Sequence, residues 1–394
     1  MKLKIFFLFV TLSLFSCSQT KKEYKLNYYG GHLYFDIIFN SKKGNENFIF
    51  DTGSSDLYID SIYYKNNPFL NNKKAVKGKI SGAGEDKKIV NVIIDSINFQ
   101  IGKQDLYSSK ITPIIDIKNI VGKRGDGIFG LNFFTNKKIQ LDYKNEKMIL
   151  YDTINNSVLK HYQKIPLIII DNRFFIETEI KLDSNKIKGL FMIDTGYPGT
   201  LTINSGIVNP KQITKKSNYI SGGIGGESKG LTTNSNSIKI QNFIFKNTII
   251  DISIDESGAL ANPKYVGTIG NELLDKFDII FDRQNSALYL KEIQNLDKNF
   301  NKNTLGFSII DRTDIHKGWI VTSIYLNSKA AINGLKIKDQ IIKINGIPVE
   351  KLGDDILWKK EIIDTKVNLN LEILRNNKNY YIKSSVEYLP SIFK

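Results

Sequence analysis

One short pattern occurs twice in this chain, and it restricts the fold more than any bulk property does. Phe48-Ile49-Phe50 runs into Asp51-Thr52-Gly53, and Phe191-Met192-Ile193 runs into Asp194-Thr195-Gly196, 143 residues further on. Upstream, HLYFDIIFN (32–40) matches FIETEIKLD (175–183) at the same spacing, and both alternate apolar with polar residues as half-buried strands do. Downstream, LYIDS (57–61) matches LTINS (201–205). Ile80-Ser81-Gly82 matches Ile220-Ser221-Gly222, each opening a glycine-rich loop. Gly127-Ile128-Phe129-Gly130 matches Gly267-Thr268-Ile269-Gly270, and IQLDYKNEKMILY (139–151) matches IIFDRQNSALYLK (279–291). Matches that keep one order and nearly one spacing mark an internal duplication. Lobe 1 is therefore expected over 27–155 and lobe 2 over 162–293, each built of short strands and turns.

A third unit is expected over 303–388, after a polar linker at 294–302. It opens with Leu305-Gly306-Phe307. Strands at 318–326 and 339–349, a short helix at 329–335, a helical patch at 354–363 and strands at 367–376 and 379–386 follow. Asn345-Gly346 between two apolar runs is a turn signal.

Hydrophobic residues make up 41% of the 394, enough for several packed cores. The net charge is +15, but the lysines are scattered among Asn and Ile, which fits solvated faces and gives no nucleic-acid stripe. His32, His161 and His316 are far apart and no metal-hydrolase motif occurs, so neither a metal nor another cofactor is expected. The single cysteine, Cys17, excludes an intrachain disulfide.

Cys17 has a specific setting. Lys2 and Lys4 precede an apolar run at 5–15, too short to span a bilayer but suited to a signal-peptide core. Leu14-Phe15-Ser16-Cys17 resembles a bacterial lipobox, which implies lipidation at Cys17. Residues 18–26 are expected to be a tether. The mature protein is then a lipid-anchored envelope protein, periplasmic or surface-facing, that meets the membrane through its anchor.

A duplicated fold brings equivalent residues face to face at its pseudo-two-fold axis. Two carboxylates about 3 Å apart repel by roughly 5 kcal/mol at an effective dielectric near 20, so such a pair shares a proton. One member then takes a proton from water while the other donates to a carbonyl oxygen. Gly53 and Gly196 permit tight turns beside the carboxylates, and Thr52 and Thr195 are placed to bond across the axis.

Residues 27–293 resemble aspartic peptidases of the retropepsin and pepsin type, on Asp51-Thr52-Gly53-Ser54, Asp194-Thr195-Gly196, the later Gly-x-x-Gly and the strand after it. The resemblance implies a mainly β chain of two pseudo-symmetric β-barrel lobes. It implies an endopeptidase in which Asp51 and Asp194 activate water against peptide bonds of polypeptide substrates. Thr52, Gly53, Ser54, Thr195 and Gly196 would support the dyad. Gly222, Gly223, Gly225 and Gly226 resemble one glycine-rich flap tip, with Gly82 and Gly84 forming the other. Because one chain supplies both aspartates, dimerisation is not required.

Tyr197-Pro198 departs from that family, which has a small residue after its second triplet. A bulky side chain there is expected to crowd the dyad, and this motivates an alternative: a catalytically inactive peptide-binding envelope protein. Gly226-Glu227-Ser228-Lys229-Gly230 fits a nucleophile-elbow pattern but lies in a polar β hairpin, without the strand-to-helix turn that motif needs. Leu305-Gly306-Phe307 and the elements after it resemble a PDZ domain, whose loop N–H groups hold a polypeptide C-terminus as it adds to a sheet edge.

Overall fold

The computed structural model describes residues 21–394, apart from 40–46, 81, 83, 85–86, 103–104, 297–299, 301 and 366. The signal segment and Cys17 lie outside the described residues, as does Ser81.

The architecture is mainly β. In lobe 1, Asn47–Phe50 lies between His32–Phe39, antiparallel, and Gly127–Phe129, parallel. Gly127–Phe129 then pairs with Leu57–Asp60. In lobe 2, Asn185–Ile193 lies between Arg173–Leu182 and Gly267–Ile269 with the same senses, and Gly267–Ile269 pairs with Leu201–Ile203. The period of two in the apolar triplets explains their role. Phe48, Phe50, Phe191 and Ile193 point into the main core, while Ile49 and Met192 point to the other face and join two smaller apolar clusters. Each fully buried Phe contributes roughly 1.5–3 kcal/mol. Phe50 and Phe129 add ring contacts to Phe35 and Phe134, behind the first aspartate.

The upstream match needs correction. Tyr29–His32 and Ile170–Arg173 close equivalent hairpins, through Gly30-Gly31 and Asp171-Asn172, all four with positive φ. Tyr34 pairs with Ile49 and Phe175 with Met192. His32 is therefore the counterpart of Arg173, not of Phe175. The alternation of a strand repeats every two residues, so a slip of two leaves every side chain on its proper face and is invisible in the sequence.

A six-stranded sheet joins the lobes. Its order is Lys21–Lys25, Lys147–Tyr151, Lys138–Asp142, Phe277–Asp282, Ala287–Glu292 and Gln163–Pro166. At its centre Ile139 opposes Phe281 and Leu141 opposes Ile279, one strand from each lobe. A buried Lys138–Asp282 ion pair at 2.5 Å crosses the same seam. The expected tether is corrected here: Lys21–Lys25 is an edge strand of this sheet, and Tyr24 and Leu26 are buried. Two apolar side chains at alternate positions, plus a free sheet edge, suffice to order a segment that reads as polar.

The carboxy-terminal unit contains strands Phe307–Asp311, Trp319–Tyr325, Gln340–Ile344, Asn368–Arg375 and Lys378–Ser385, a short helix Lys329–Ile332 and a longer one Asp355–Thr365. It has its own core around Trp319, Phe307, Ile341 and Trp358. It is not a separate bead. Hairpin 2 of lobe 2, formed by Ser217–Gly223 and Gly226–Ile240, pairs with Trp319–Tyr325, with Tyr219, Ile220 and Ser221 opposite Tyr325, Ile324 and Ser323. One sheet thus runs from lobe 2 into the carboxy-terminal unit. Leu389, Ile392 and Phe393 pack with Ile249 and Tyr325, fixing the unit to lobe 2. Among the described residues, no helix is long and apolar enough to cross a membrane.

Candidate active site

Asp51 and Asp194 follow their strands at matching points. Asp51 N–H donates to Phe129 O and Asp194 N–H to Ile269 O, both at 3.0 Å. Gly53 N–H donates to Asp51 Oδ1 (2.7 Å), and Gly196 N–H to Asp194 Oδ1 (2.8 Å). Between the loops, Thr52 N–H donates to Thr195 Oγ1 and Thr195 N–H to Thr52 Oγ1, both at 3.0 Å. The two hydroxyls donate onward, Thr52 to Ile193 O (2.7 Å) and Thr195 to Phe50 O (2.8 Å). Both threonines are fully buried. Every donor in this brace is satisfied across the axis, so neither loop shifts alone.

The brace brings the carboxyls together, close enough for each to act on the other's affinity for protons. A Cβ on Gly53 would lie 2.8 Å from the Asp194 carboxyl carbon, and one on Gly196 2.5 Å from that of Asp51. Only glycine leaves room for the crossed approach. Burial raises the affinity of both carboxyls for protons, and for Asp194 the neighbouring Asp51 charge raises it further, well above the carboxylate range. Asp51 is raised less, because it is opposed by bonds from Asp194 and Gly53 and by the positive charge of Arg173.

Arg173 was not singled out from the sequence. It starts the first long strand of lobe 2 and reaches across to lobe 1, its Nε–H donating to Gly53 O at 2.6 Å. Its counterpart His32 is neutral, pushed down to about 4 by burial. The pseudo-symmetric site is thus electrically asymmetric, with the cation on the Asp51 side. Asn271 was also missed. Its Nδ2 donates to Thr195 O (2.6 Å) and Gly31 O (2.7 Å), and its Oδ1 accepts from Tyr143 (2.7 Å). The available signal was Asn271 after Gly270, where lobe 1 has Leu131 after Gly130.

Tyr197 does not crowd the dyad. Its N–H closes the turn on Asp194 O at 3.2 Å, as Ser54 N–H does on Asp51 O. Its ring lies against Gly199 and Gly270, and its hydroxyl donates to half-buried Asp251 at 3.0 Å. Asp251 also accepts from Thr232 (2.5 Å), and burial raises its proton affinity.

The glycine-rich segments meet. Hairpin 1 of lobe 1 is formed by Ala75–Ile80 and Lys88–Ile93. A Cβ on Gly82 would lie 2.8 Å from Ile224 Cβ, and one on Gly84 2.6 Å from the Gly225 carbonyl carbon. Ile224, between Gly223 and Gly225, packs on the lobe 1 cluster of Tyr34, Ile49, Ile115, Ile117 and Ile128. Gly222, Gly223 and Gly226 complete the turn region of hairpin 2. Ser228, the serine of the elbow pattern, is buried in that hairpin and donates to Asp255.

Leu305, Gly306 and Phe307 are buried at the start of strand Phe307–Asp311, beside helix Asp355–Thr365. Gly306 has φ of +80° and its N–H donates to Thr304 Oγ1 (3.0 Å). Residues 294–374 match the PDZ domain family. The carboxy-terminal unit is a PDZ domain, a fold consistent with peptide-ligand binding. No curated protein matches the chain. Among solved structures, the crystal structure of Basic 7S globulin from soybean is similar at 11% identity and a TM-score of 0.41, over 69% of this chain and 95% of that one. Among the described residues, no three ligating side chains cluster as a metal site.

Proposed function

We propose that this chain is an aspartic-type endopeptidase whose PDZ domain binds polypeptide C-termini. The observation that carries the reading is the contact between Asp51 and Asp194, held by the reciprocal Thr52–Thr195 brace. In the proposed reaction, the dyad holds one proton, on Asp194. Ionised Asp51 takes a proton from a water as its oxygen bonds to the scissile carbonyl carbon, and Asp194 gives its proton to the carbonyl oxygen. As the C–N bond breaks, the proton on Asp51 passes to the leaving nitrogen and the new acid's hydroxyl proton returns to Asp194. Arg173 supports this division, since its charge favours the ionised form of Asp51.

Thr52, Gly53, Ser54, Thr195 and Gly196 hold the dyad in this reading. The segments around Gly82, Gly84, Gly222, Gly223, Gly225 and Gly226 act as two flaps over an extended chain. Leu305, Gly306 and Phe307 form the carboxylate-binding loop of the PDZ domain. An inert peptide binder is the alternative reading, and the bond from Tyr197 to Asp251, with the ring against Gly199 and Gly270, weighs against it. The test is cleavage of an unfolded protein by the purified soluble form, with Asp51→Asn and Asp194→Asn beside it. Turnover retained in either variant sinks the shared-dyad mechanism.

We also propose, from the leader sequence, that Cys17 carries a lipid and anchors the protein in the cell envelope. Mass spectrometry of the mature amino terminus decides it; an unmodified Cys17 removes the anchor.

A further inference from the structure

The groove edge of the PDZ domain is already in use. Strand Phe307–Asp311 pairs with Trp319–Tyr325 on one side. Side chains and backbone groups alternate along a strand, so Phe307, Ile309 and Asp311 turn their N–H and C=O groups to the other side, toward helix Asp355–Thr365. At Asp311 both groups are taken. Its N–H donates to Asp355 Oδ2 (3.0 Å), and its C=O accepts from the backbone N–H of Lys123 in lobe 1 (2.8 Å).

That backbone bond is the centre of a clamp. Lys123 Nζ pairs with the Asp311 carboxylate at 2.7 Å. Tyr29 and Arg124 of lobe 1 both bond Asp354, whose carboxylate also caps the groove helix by accepting from Ile356 and Leu357 N–H. Ile356 rests on Gly30. The lobe 1 loop that holds Asp311 also carries Ile117 and Val121, part of the apolar wall under Ile224. One loop therefore grips the PDZ groove edge and receives the tip of hairpin 2. Hairpin 2 is itself a sheet neighbour of the PDZ strand Trp319–Tyr325. Lobe 1 thus holds both the PDZ domain and the tip of hairpin 2, two elements that share one sheet.

We propose that a polypeptide carboxy terminus of five or more residues is an activating ligand, which displaces lobe 1 from Asp311 and frees hairpin 2. This rests on the peptidase reading for its consequence but not for its mechanics. A strand added antiparallel with its carboxylate at Leu305–Phe307 reaches Phe307 with its last residue, Ile309 two residues earlier and Asp311 two earlier still. Only the longer chain meets Lys123 for the same carbonyl. Short ends bind beside the clamp; long ends compete with it.

The test uses the full soluble chain. The probes are heptapeptides ending in Leu, Ile, Val or Phe with free carboxylates, the same peptides amidated, and tripeptides with the same ends. Two quantities are read: cleavage of an unfolded protein, and amide hydrogen exchange at 118–125 and 222–226. Free heptapeptides should stimulate cleavage about 5-fold or more and speed exchange in both segments, while amidated peptides and tripeptides should do neither. Tyr29→Phe/Lys123→Ala/Arg124→Ala should show the fast exchange and raised cleavage without peptide. Heptapeptides that bind without changing exchange overturn the proposal, as does failure of every peptide to bind, or slow exchange in the triple variant. A full exchange response with no cleavage under any condition leaves the clamp standing and sinks the peptidase reading alone.

Discussion

Thr52 and Thr195 exchange hydrogen bonds across the pseudo-two-fold axis, each donating its backbone N–H to the other's hydroxyl oxygen at 3.0 Å. Each hydroxyl then donates to the strand carbonyl before the other's aspartate. The two catalytic candidates are therefore placed by one shared unit. Thr52→Val leaves the Thr195 N–H and the Ile193 C=O buried and unpaired, at about 1–3 kcal/mol each. Urea unfolding should show a loss of about 2–6 kcal/mol, and kcat should fall more than KM rises.

Asp51→Asn and Asp194→Asn should each lower kcat by at least about 10²–10⁴-fold. Neither should unfold the protein, because an amide relieves the burial of a charge beside a like group. Equal thermal stability with lost turnover in both variants is the expected pair of results. A variant that loses its fold as well would mean that the carboxyls are structural.

The pH profile should be a bell. In the proposed reaction its acid limb is protonation of Asp51 as the base, and its alkaline limb is loss of the proton from Asp194. Burial and the neighbouring charge hold Asp194 well above the carboxylate range, so activity should extend toward neutral pH. Arg173 opposes protonation of Asp51. Arg173→Gln removes that charge, raises the Asp51 pKa and moves the acid limb to higher pH, with the alkaline limb much less affected. An unmoved acid limb in log(kcat/KM) against pH would refute this role for Arg173.

Tyr197→Ser, which places a small residue after the second triplet, should not raise activity. It removes a donor from half-buried Asp251 and opens a cavity beside Gly270. Tyr197→Phe isolates the hydroxyl and should cost about 1–3 kcal/mol in unfolding free energy with kcat nearly unchanged. A gain of turnover in Tyr197→Ser would restore the view that Tyr197 obstructs the dyad.

Asp355 gives the PDZ clamp a pH dependence. Burial first, then the Asp354 charge, raises its pKa to about 6; Asp311 adds to this and the Asp311 N–H opposes it. Lys359 on the same helix face feels Asp355, while Lys123 and Arg124 of lobe 1 sit on Asp311 and Asp354. The folded protein holds this proton over a range where the unfolded chain has lost it. The contribution is complete below about pH 4 and is lost as pH rises through about 6, on the order of 3 kcal/mol in all. Asp355→Asn should flatten that part of the curve of Tm against pH.

The duplication, the two aspartates, the glycines beside them and the PDZ unit were legible in the sequence, because each is a local pattern repeated or closed within a short stretch. Strand register was not: His32 matches Arg173 rather than Phe175, since a slip of two residues preserves the apolar alternation. The Lys21–Lys25 strand was not legible either, because only the free edge at Lys147–Tyr151 makes a strand of it.

The sequence by itself determined that Asp51 pairs with Asp194 and Thr52 with Thr195, since the order and spacing of the two Asp-Thr-Gly triplets carry that information. Only the tertiary structure decided how the pair is biased. Arg173 stands beside Asp51 and neutral His32 is its counterpart, a difference that acts through space across the lobe boundary. The direction of the Tyr197 ring and the grip of Lys123 on Asp311 were decided in the same way. Both depend on which buried groups still need a partner once distant strands have packed.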